Sequence, residues 1–297
     1  MATSPAAWTD LGGSIRVRQS EAYRMNSGLM LDPQHAILVD PGVLPSELDD
    51  IARAVNTVRP AEITLVLTHA HWDHVLGRAW WPKARVVAHD AFAAELARDR
   101  DRIEAEALRL ASEHGERWRA AFAPFAPDLA VSGLHFAKFG NWRVVFRDAF
   151  GHSESQLSLH LPEPRVLFAA DMLSDIEMPM LNGPVAAYRR TLEALRPLVA
   201  HGAIETLVPG HGAIAHGTGA VEARLTRDLA YLDALESGTR EALAQGLTLE
   251  QARERLAAME YTGKHSSEYP TLEFHLENIR IAYQHAATAG KPESRTR

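Results

Sequence analysis

Four side chains able to bind a metal ion stand within six residues in His69-Ala70-His71-Trp72-Asp73-His74. Neutral imidazole suits zinc and its first-row neighbours, and a carboxylate supplies compensating negative charge. Left without a ligand, so many polar groups crowded into one concave site would be costly to bury. The 297-residue chain has no cysteine, which excludes disulfides and thiolate metal sites, so any metal must sit on His and carboxylate. Chance histidines in a polar loop are the competing reading, and four ligand types at this density weigh against it.

One loop cannot complete the coordination shells of two ions, so further ligands are expected at other strand ends. His152 lies in Phe150-Gly151-His152-Ser153 between two expected strands. Asp171 follows the apolar run over 166–170. His211 sits in Pro209-Gly210-His211-Gly212 after the last expected strand, where two glycines let the backbone turn tightly. Each alone reads as a turn or cap residue; their joint occurrence carries the weight.

The elements that must position these groups follow from periodicity and turn chemistry. Strands are expected over 14–18, 27–31 and His35–Val39, with Val39-Asp40-Pro41-Gly42 stopping the third abruptly. Ser46 is expected to cap a helix with Leu48, Ile51 and Val55 on one face. The run over 63–67, apolar but for Thr64, reads as a strand buried on both faces, and the histidine-rich loop follows it. Further strands are expected over 85–88, 142–146, 156–161, 166–170 and 204–208, and helices over about 90–121 and 184–200. Beyond Thr218 the chain reads as helices only, one opening at a Thr248/Gln251 capping box. The order gives an α/β protein with two sheets between helices and a helical extension at the C-terminus.

The motifs Asp40 in VDPG, the HxHxDH run from His69 to His74, His152, Asp171 and His211 occur in the order seen in the metallo-β-lactamase superfamily, which the chain resembles over about residues 14–212. The resemblance implies a four-layer αββα sandwich. Residues 1–217 would form the catalytic domain, with a helical insert at about 90–127, and residues 218–297 a C-terminal helical region completing it. It also implies a ligand map. His69, His71 and His152 would hold one ion, Asp73, His74 and His211 a second, and Asp171 would bridge both. Asp40 resembles the carboxylate that orients the ligand loop; a turn cap before Pro41-Gly42 is its alternative reading. The cofactors expected are two Zn2+ per chain, with Mn2+ or Fe2+ as substitutes.

Two such ions would raise the acidity of a bridging water toward neutral pH, so that hydroxide attacks while the ions polarise the substrate oxygen. Asp73 is the expected catalytic carboxylate, taking the hydroxide's proton and passing it to the leaving group. Asp171 argues against antibiotic hydrolysis and His71 against flavodiiron chemistry, which leaves the branch containing lactonases and glyoxalase II-like thioesterases. The expected reaction is cleavage of an ester, lactone or thioester. A phosphodiesterase on the same site, a mononuclear-iron persulfide-dioxygenase-like oxidoreductase and a non-enzymatic metal-binding role are the alternatives. The stretch Ser153-Glu154-Ser155-Gln156 departs from the branch's usual pattern, so its substrate specificity is not carried over. Lys264, His265, Tyr269 and His275 are candidates for substrate contact, and Trp118, Phe122 and Phe125 of the insert for an apolar lid.

The composition, 46% hydrophobic and 23% charged, suits a globular protein, and a net charge of −7 without a basic cluster speaks against nucleic acid. No run of about 18 apolar residues suggests a membrane span, and residues 1–10 do not read as a secretory signal. The expected partner is a small-molecule substrate, with a homodimer left open, and the expected compartment is the cytoplasm. Asp171→Ala is expected to lose metal and activity together, and His211→Ala to deplete mainly the second ion. Full metal occupancy in both variants by elemental analysis would overturn the ligand map.

Overall fold

The computed structural model describes residues 8–118, 120–259, 261 and 271–289. Its first sheet begins with an antiparallel meander of β1 (Trp8–Gly12), β2 (Ile15–Gln19), β3 (Asn26–Leu31) and β4 (His35–Val39). β5 (Glu62–Val66), β6 (Arg85–His89) and β7 (Leu129–Val131) then add in parallel, giving seven strands in sequence order. The second sheet comprises β8 (Leu134–Phe139), β9 (Trp142–Asp148), β10 (Leu157–Leu161), β11 (Val166–Phe168), β12 (Thr206–Val208) and β13 (Ala215–His216), ordered β13-β12-β11-β10-β9-β8. Its one parallel pair, β11 with β12, is joined by the helix α4 (Val185–Ala200).

Side-chain alternation assigns the layers. Ile37 and Val39 of β4 meet Leu157, Leu159 and Phe168 between the sheets. Ala36 and Leu38, on the other face, join α1 (Pro45–Val58), α2 (Phe92–Arg98) and α3 (Arg100–Glu113) in the outer core. A strand covered on both faces reads as a near-continuous apolar run, and in HAILV the one polar residue, His35, is buried with its Nε2 2.8 Å from Thr64 Oγ1. On the far side α4 and α5 (Thr218–Ala244), with α6 (Leu249–Leu256) and α7 (Thr271–Ala289), cover the second sheet through Leu192, Leu195, Leu225 and Leu232. The result is the expected αββα sandwich with a C-terminal helical region.

Several local expectations are corrected. α1 starts at Pro45, its first turn satisfied by the Glu47 carboxylate, which accepts the Val43 and Leu44 N–H groups at 3.3 Å. Ser46 is therefore inside the helix and not its cap, and its hydroxyl donates to Glu116 at 2.6 Å. The insert helix ends at Glu113, not near residue 121. Gly115 takes φ 70°, and the Glu116 N–H returns to the Ala111 carbonyl at 2.7 Å, a left-handed close that only a glycine adopts without strain. Four short or edge strands, β1, β7, β8 and β13, were not evident from alternation. Gly140-Asn141 between β8 and β9 is the two-residue hairpin signal that marks the β8–β9 pair. Thr248 caps α6 as expected, accepting the Gln251 N–H at 3.3 Å.

Among the described residues no helix is long and apolar enough to cross a membrane. The inter-sheet layer is the part of the core that both halves share. Phe146, fully buried there beside Phe139, is one of three phenylalanines that the second sheet sends into it. Phe146→Ala is expected to cost about 3–5 kcal/mol, read as a lower urea midpoint at unchanged slope. A loss under about 1 kcal/mol would mean that the two sheets do not pack through this residue.

Candidate metal centre

The carboxyl ends of β5 and β11, the β9–β10 turn and the loop after β12 meet at one edge of the sandwich. There the seven side chains from the sequence form two groups whose ligand-type atoms lie within 4.8 Å of one another: His69, His71, His152 and Asp171, then Asp73, His74 and His211. Asp171 stands between the two groups. Its Oδ2 lies 3.3 Å from His152 Nε2 and 3.5 Å from His69 Nε2. Its Oδ1 lies 3.2 Å from His74 Nε2 and 3.6 Å from His211 Nε2. Asp73 Oδ2 is 3.1 Å from His211 Nε2 and 3.7 Å from His74 Nε2.

The outer nitrogen of each of four rings is committed to an acceptor. His74 Nδ1 donates to Asp40 Oδ2 at 2.8 Å, and His211 Nδ1 to the Tyr23 carbonyl at 2.9 Å. His152 Nδ1 donates to the Met180 carbonyl at 3.3 Å. Thr68 Oγ1 gives its proton to Asp40 Oδ2 at 2.6 Å, so at 3.1 Å it accepts from His69 Nδ1. With Nδ1 protonated in each, the Nε2 lone pairs face inward. His71 turns the other way and presents Nδ1, 3.0 Å from His152 Nε2.

Three of the inward atoms, His69 Nε2, His74 Nε2 and Asp171 Oδ1, are buried without a hydrogen-bond partner. Buried polar atoms are rarely left so. Three orphans facing one space, ringed by imidazole and carboxylate, fit divalent cations of the zinc type. The charges agree. Burial opposes a charged His74, yet Asp171, Asp73 and Asp40 hold its pKa well above the usual histidine range. Burial likewise opposes a charged His211, but Glu177, Asp171 and Asp73 raise it to about 10. Asp171 is kept well below the carboxylate range, the desolvation cost being outweighed by His74, His211 and His69. The first group behaves differently: burial, then His69 and His152, push His71 well below its usual value. The second group therefore draws positive charge, which protons supply only by sitting on the ligand atoms.

Backbone strain and close packing hold these groups in place. Asp40 takes φ 44°, with its carboxylate also accepting the Thr68 N–H at 2.8 Å, so it ties the end of β4 to the ligand loop after β5. Ala170 and Leu173, on either side of Asp171, take φ 51° and 60°. Non-glycine residues in this region cost of order 1–3 kcal/mol each and cluster at functional sites. At Gly210 a Cβ would stand 2.0 Å from Asp171 Oδ1, so any side chain there would displace that carboxylate.

Several supporting residues were not legible in the sequence. Glu95 of α2, buried, accepts from Ser153 Oγ at 2.8 Å and the Ser155 N–H at 3.1 Å, while Ser155 Oγ accepts the Ala70 N–H at 3.2 Å. The unusual Ser153/Ser155 pair thus joins the insert to both histidine loops. Arg224 of α5 donates to the carbonyls of Leu173 at 2.9 Å and Ala213 at 2.7 Å, clamping the loops beyond Asp171 and His211. Asn278 of α7 accepts the Leu181 N–H at 2.8 Å and donates to the Pro179 carbonyl at 2.6 Å, fixing the loop whose Met180 carbonyl orients His152. Each acts from a distant element, so only Ser153 and Ser155, as a departure from pattern, gave a signal.

A cavity of about 740 Å3 opens over the cluster, lined by His71, Asp73, His152, Asp171 and His211 at its floor. Glu177, at its wall, has its pKa raised to about 7 by burial. The expectation for His275 is corrected. Phe274, Glu277 and Asn278 of α7 line the cavity, whereas His275 shares the opposite face with Ile279 and Ala282. Its Nδ1 pairs with Tyr231 Oη and its Nε2 with the Leu256 carbonyl, both at 2.9 Å. Lys264, His265 and Tyr269 lie outside the described residues. Trp118, Phe122 and Phe125 pack on the outer core, Trp118 donating to the Ala107 carbonyl at 2.8 Å, and none of them lines the cavity.

The family model of the metallo-beta-lactamase superfamily matches residues 23–211, and the chain belongs to that family. Among curated proteins it is 29% identical to an acyl-coenzyme A thioesterase MBLAC2 of Gallus gallus over 223 residues, covering 68% of this chain and 78% of the other. The Homo sapiens protein of the same name is 27% identical over 229 residues, covering 69% and 80%. Among solved structures, the sec-alkylsulfatase Pisa1 from Pseudomonas sp. matches 94% of this chain with a TM-score of 0.69 and 16% identity, and the chain spans 50% of that protein's length. A metallo-beta-lactamase from Pontibacter korlensis matches 74% of this chain and 97% of its own, with a TM-score of 0.52 and 15% identity. Likeness at such identities shows the fold.

Because His211 titrates near 10, it carries a proton at pH 8 when no metal is bound, and a cation taken up at Nε2 must expel it. Zinc titrations of metal-free protein at pH 8, run in buffers of different ionisation enthalpy, are expected to show net proton release. A heat independent of the buffer would remove His211 from the ligand set.

Proposed function

We propose that the chain is a dinuclear metal-dependent hydrolase whose substrates are thioesters of the acyl-coenzyme A class. The observation that carries the dinuclear part is the division of Asp171, one oxygen toward each histidine group. The thioester part rests on the two relatives described as acyl-coenzyme A thioesterases, each covered over more than two thirds of its length. His69, His71 and His152 would hold one ion, Asp73, His74 and His211 the other, and Asp171 both. Zinc is the metal that the all-imidazole and carboxylate donor set suits, with manganese or iron as substitutes. Bound there, the ions would supply Lewis acidity and lower the pKa of water toward neutrality.

The chain's own groups do the rest. In the reaction proposed, the oxygen of a water attacks the thioester carbonyl carbon, the C–S bond breaks, and the thiolate leaves as the thiol. Asp73 lines the cavity and meets His211 at its ligand edge. In this reading its carboxylate accepts the water's proton and returns it to the leaving sulfur. Met180 and Leu181 give the cavity wall apolar surface for an acyl chain beside the polar floor. Within this reading Asp40 positions His74 and does not touch substrate.

The completeness of the second group, Asp73, His74 and His211, supports two ions over a single iron. With zinc-loaded protein, acyl-coenzyme A substrates are expected to release thiol at least about tenfold faster than lactones, aryl esters or phosphodiesters are cleaved. Preferential phosphodiester cleavage, or one iron per chain with oxygen uptake, would overturn the reading.

A further inference from the structure

The cavity has a second chemistry at its mouth that the reaction does not use. Arg98 of α2 and Arg102 and Arg109 of α3 line it opposite the cluster, and all three are exposed. Arg102 and Arg109 are seven residues apart and share a face of α3. Two of the arginines are each linked to the floor through one residue. Arg109 Nη2 donates at 2.9 Å to the hydroxyl of Tyr23, whose carbonyl holds His211. Arg98 lies 3.7 Å from Glu95, whose carboxylate holds Ser153 beside His152. The mouth and the floor are therefore held in one frame.

Their pairing differs. Arg109 is neutralised by Glu113 at 2.7 Å and Glu106 at 2.8 Å. Arg98 meets Glu154, Glu95 and Asp99 only at 3.4–3.8 Å. Arg102 makes no ion pair or hydrogen bond among the described residues. Glu95, Asp99 and Glu106 also line this side of the cavity, yet none of them pairs with Arg102. A guanidinium left without a carboxylate partner, with a loosely paired neighbour one turn away, suits phosphate oxygens, which it meets with paired N–H donors.

We propose that Arg102 and Arg98 form an anion subsite that binds the phosphate groups on the carrier half of a thioester substrate, while the acyl carbonyl lies at the histidine cluster. The proposal rests on the thioesterase reading above and adds which half of the substrate this chain recognises, and with what. Specificity in this arrangement is for the carrier, and the insert helices α2 and α3 are its reader. The shared chemistry is phosphate, whether from the carrier's terminal monophosphate or its diphosphate bridge.

The test uses zinc-loaded full-length protein and one acyl group on two thiols, coenzyme A and the phosphate-free pantetheine. R102Q and R98Q/R102Q are expected to lower the ratio of kcat/KM for the two carriers by about tenfold or more, through KM for the coenzyme A thioester. Adenosine 3′,5′-bisphosphate is expected to inhibit competitively in the wild type and at least about tenfold less tightly in the double variant, whereas coenzyme A lacking the 3′-phosphate separates the monophosphate from the bridge. An unchanged carrier ratio, or equal loss on both thioesters, overturns the subsite and leaves the thioesterase reading intact. Should neither thioester be cleaved, the thioesterase reading fails, and calorimetry of coenzyme A itself decides the subsite. Tight binding weakened in the double variant supports it, and no binding, or binding equal in both, overturns it.

Discussion

Every part of this fold is arranged around one buried carboxylate facing four imidazoles. Asp171 offers one oxygen to His69 and His152 and the other to His74 and His211, at 3.2–3.6 Å and without hydrogen-bonding geometry to complete the set. Such an array is unfavourable unless a cation stands among the groups. The outer nitrogens of the rings are bound to a carboxylate, a hydroxyl and two backbone carbonyls, which fixes where each lone pair points. Taking any one of those acceptors away frees a ring to turn, and the cluster loses its shape before it loses its ligands.

The sandwich supplies the rigidity that this requires. β4, β5 and β11 are buried on both faces, so their ends cannot shift without disturbing the inter-sheet layer. The C-terminal helices matter more than their distance in sequence suggests. Arg224 holds the loops that follow Asp171 and His211, and Asn278 holds the loop that orients His152. The helical region is in this sense part of the site, although none of its described residues belongs to either candidate ligand group.

The sequence made the candidate ligands readable because their chemistry is local: a run such as His69 to His74 has few other uses, and Asp171 and His211 fall shortly after strands. The layers were readable because β4 and β5 are mostly apolar, with residues 36–39 in one and Leu65 and Val66 in the other wholly buried. What escaped notice acts through space. Glu95 is an ordinary helix glutamate until Ser153 and Ser155 arrive beneath it, and Glu177 an ordinary acid until burial raises its pKa. His275 misled because a histidine beside Lys264, His265 and Tyr269 in the C-terminal region invites a functional reading. Helical geometry puts its neighbours Phe274 and Glu277 at the cavity and turns it toward Tyr231. The insert was read by its aromatic residues, which pack inward, whereas its charged residues reach the cavity.

Gly210 has an implication for how such a protein can change. With Asp171 Oδ1 2.0 Å from where a Cβ would stand, the back of the cage admits no methyl group. Evolution or design seeking a new substrate is thereby barred from remodelling the pocket's rear and is channelled to its entrance. There α2 and α3 present exposed positions, Arg98 and Arg102 among them, that touch none of the histidines or aspartates of the cage. One immutable hearth with replaceable doorways is an economical way for a single scaffold to serve many chemistries.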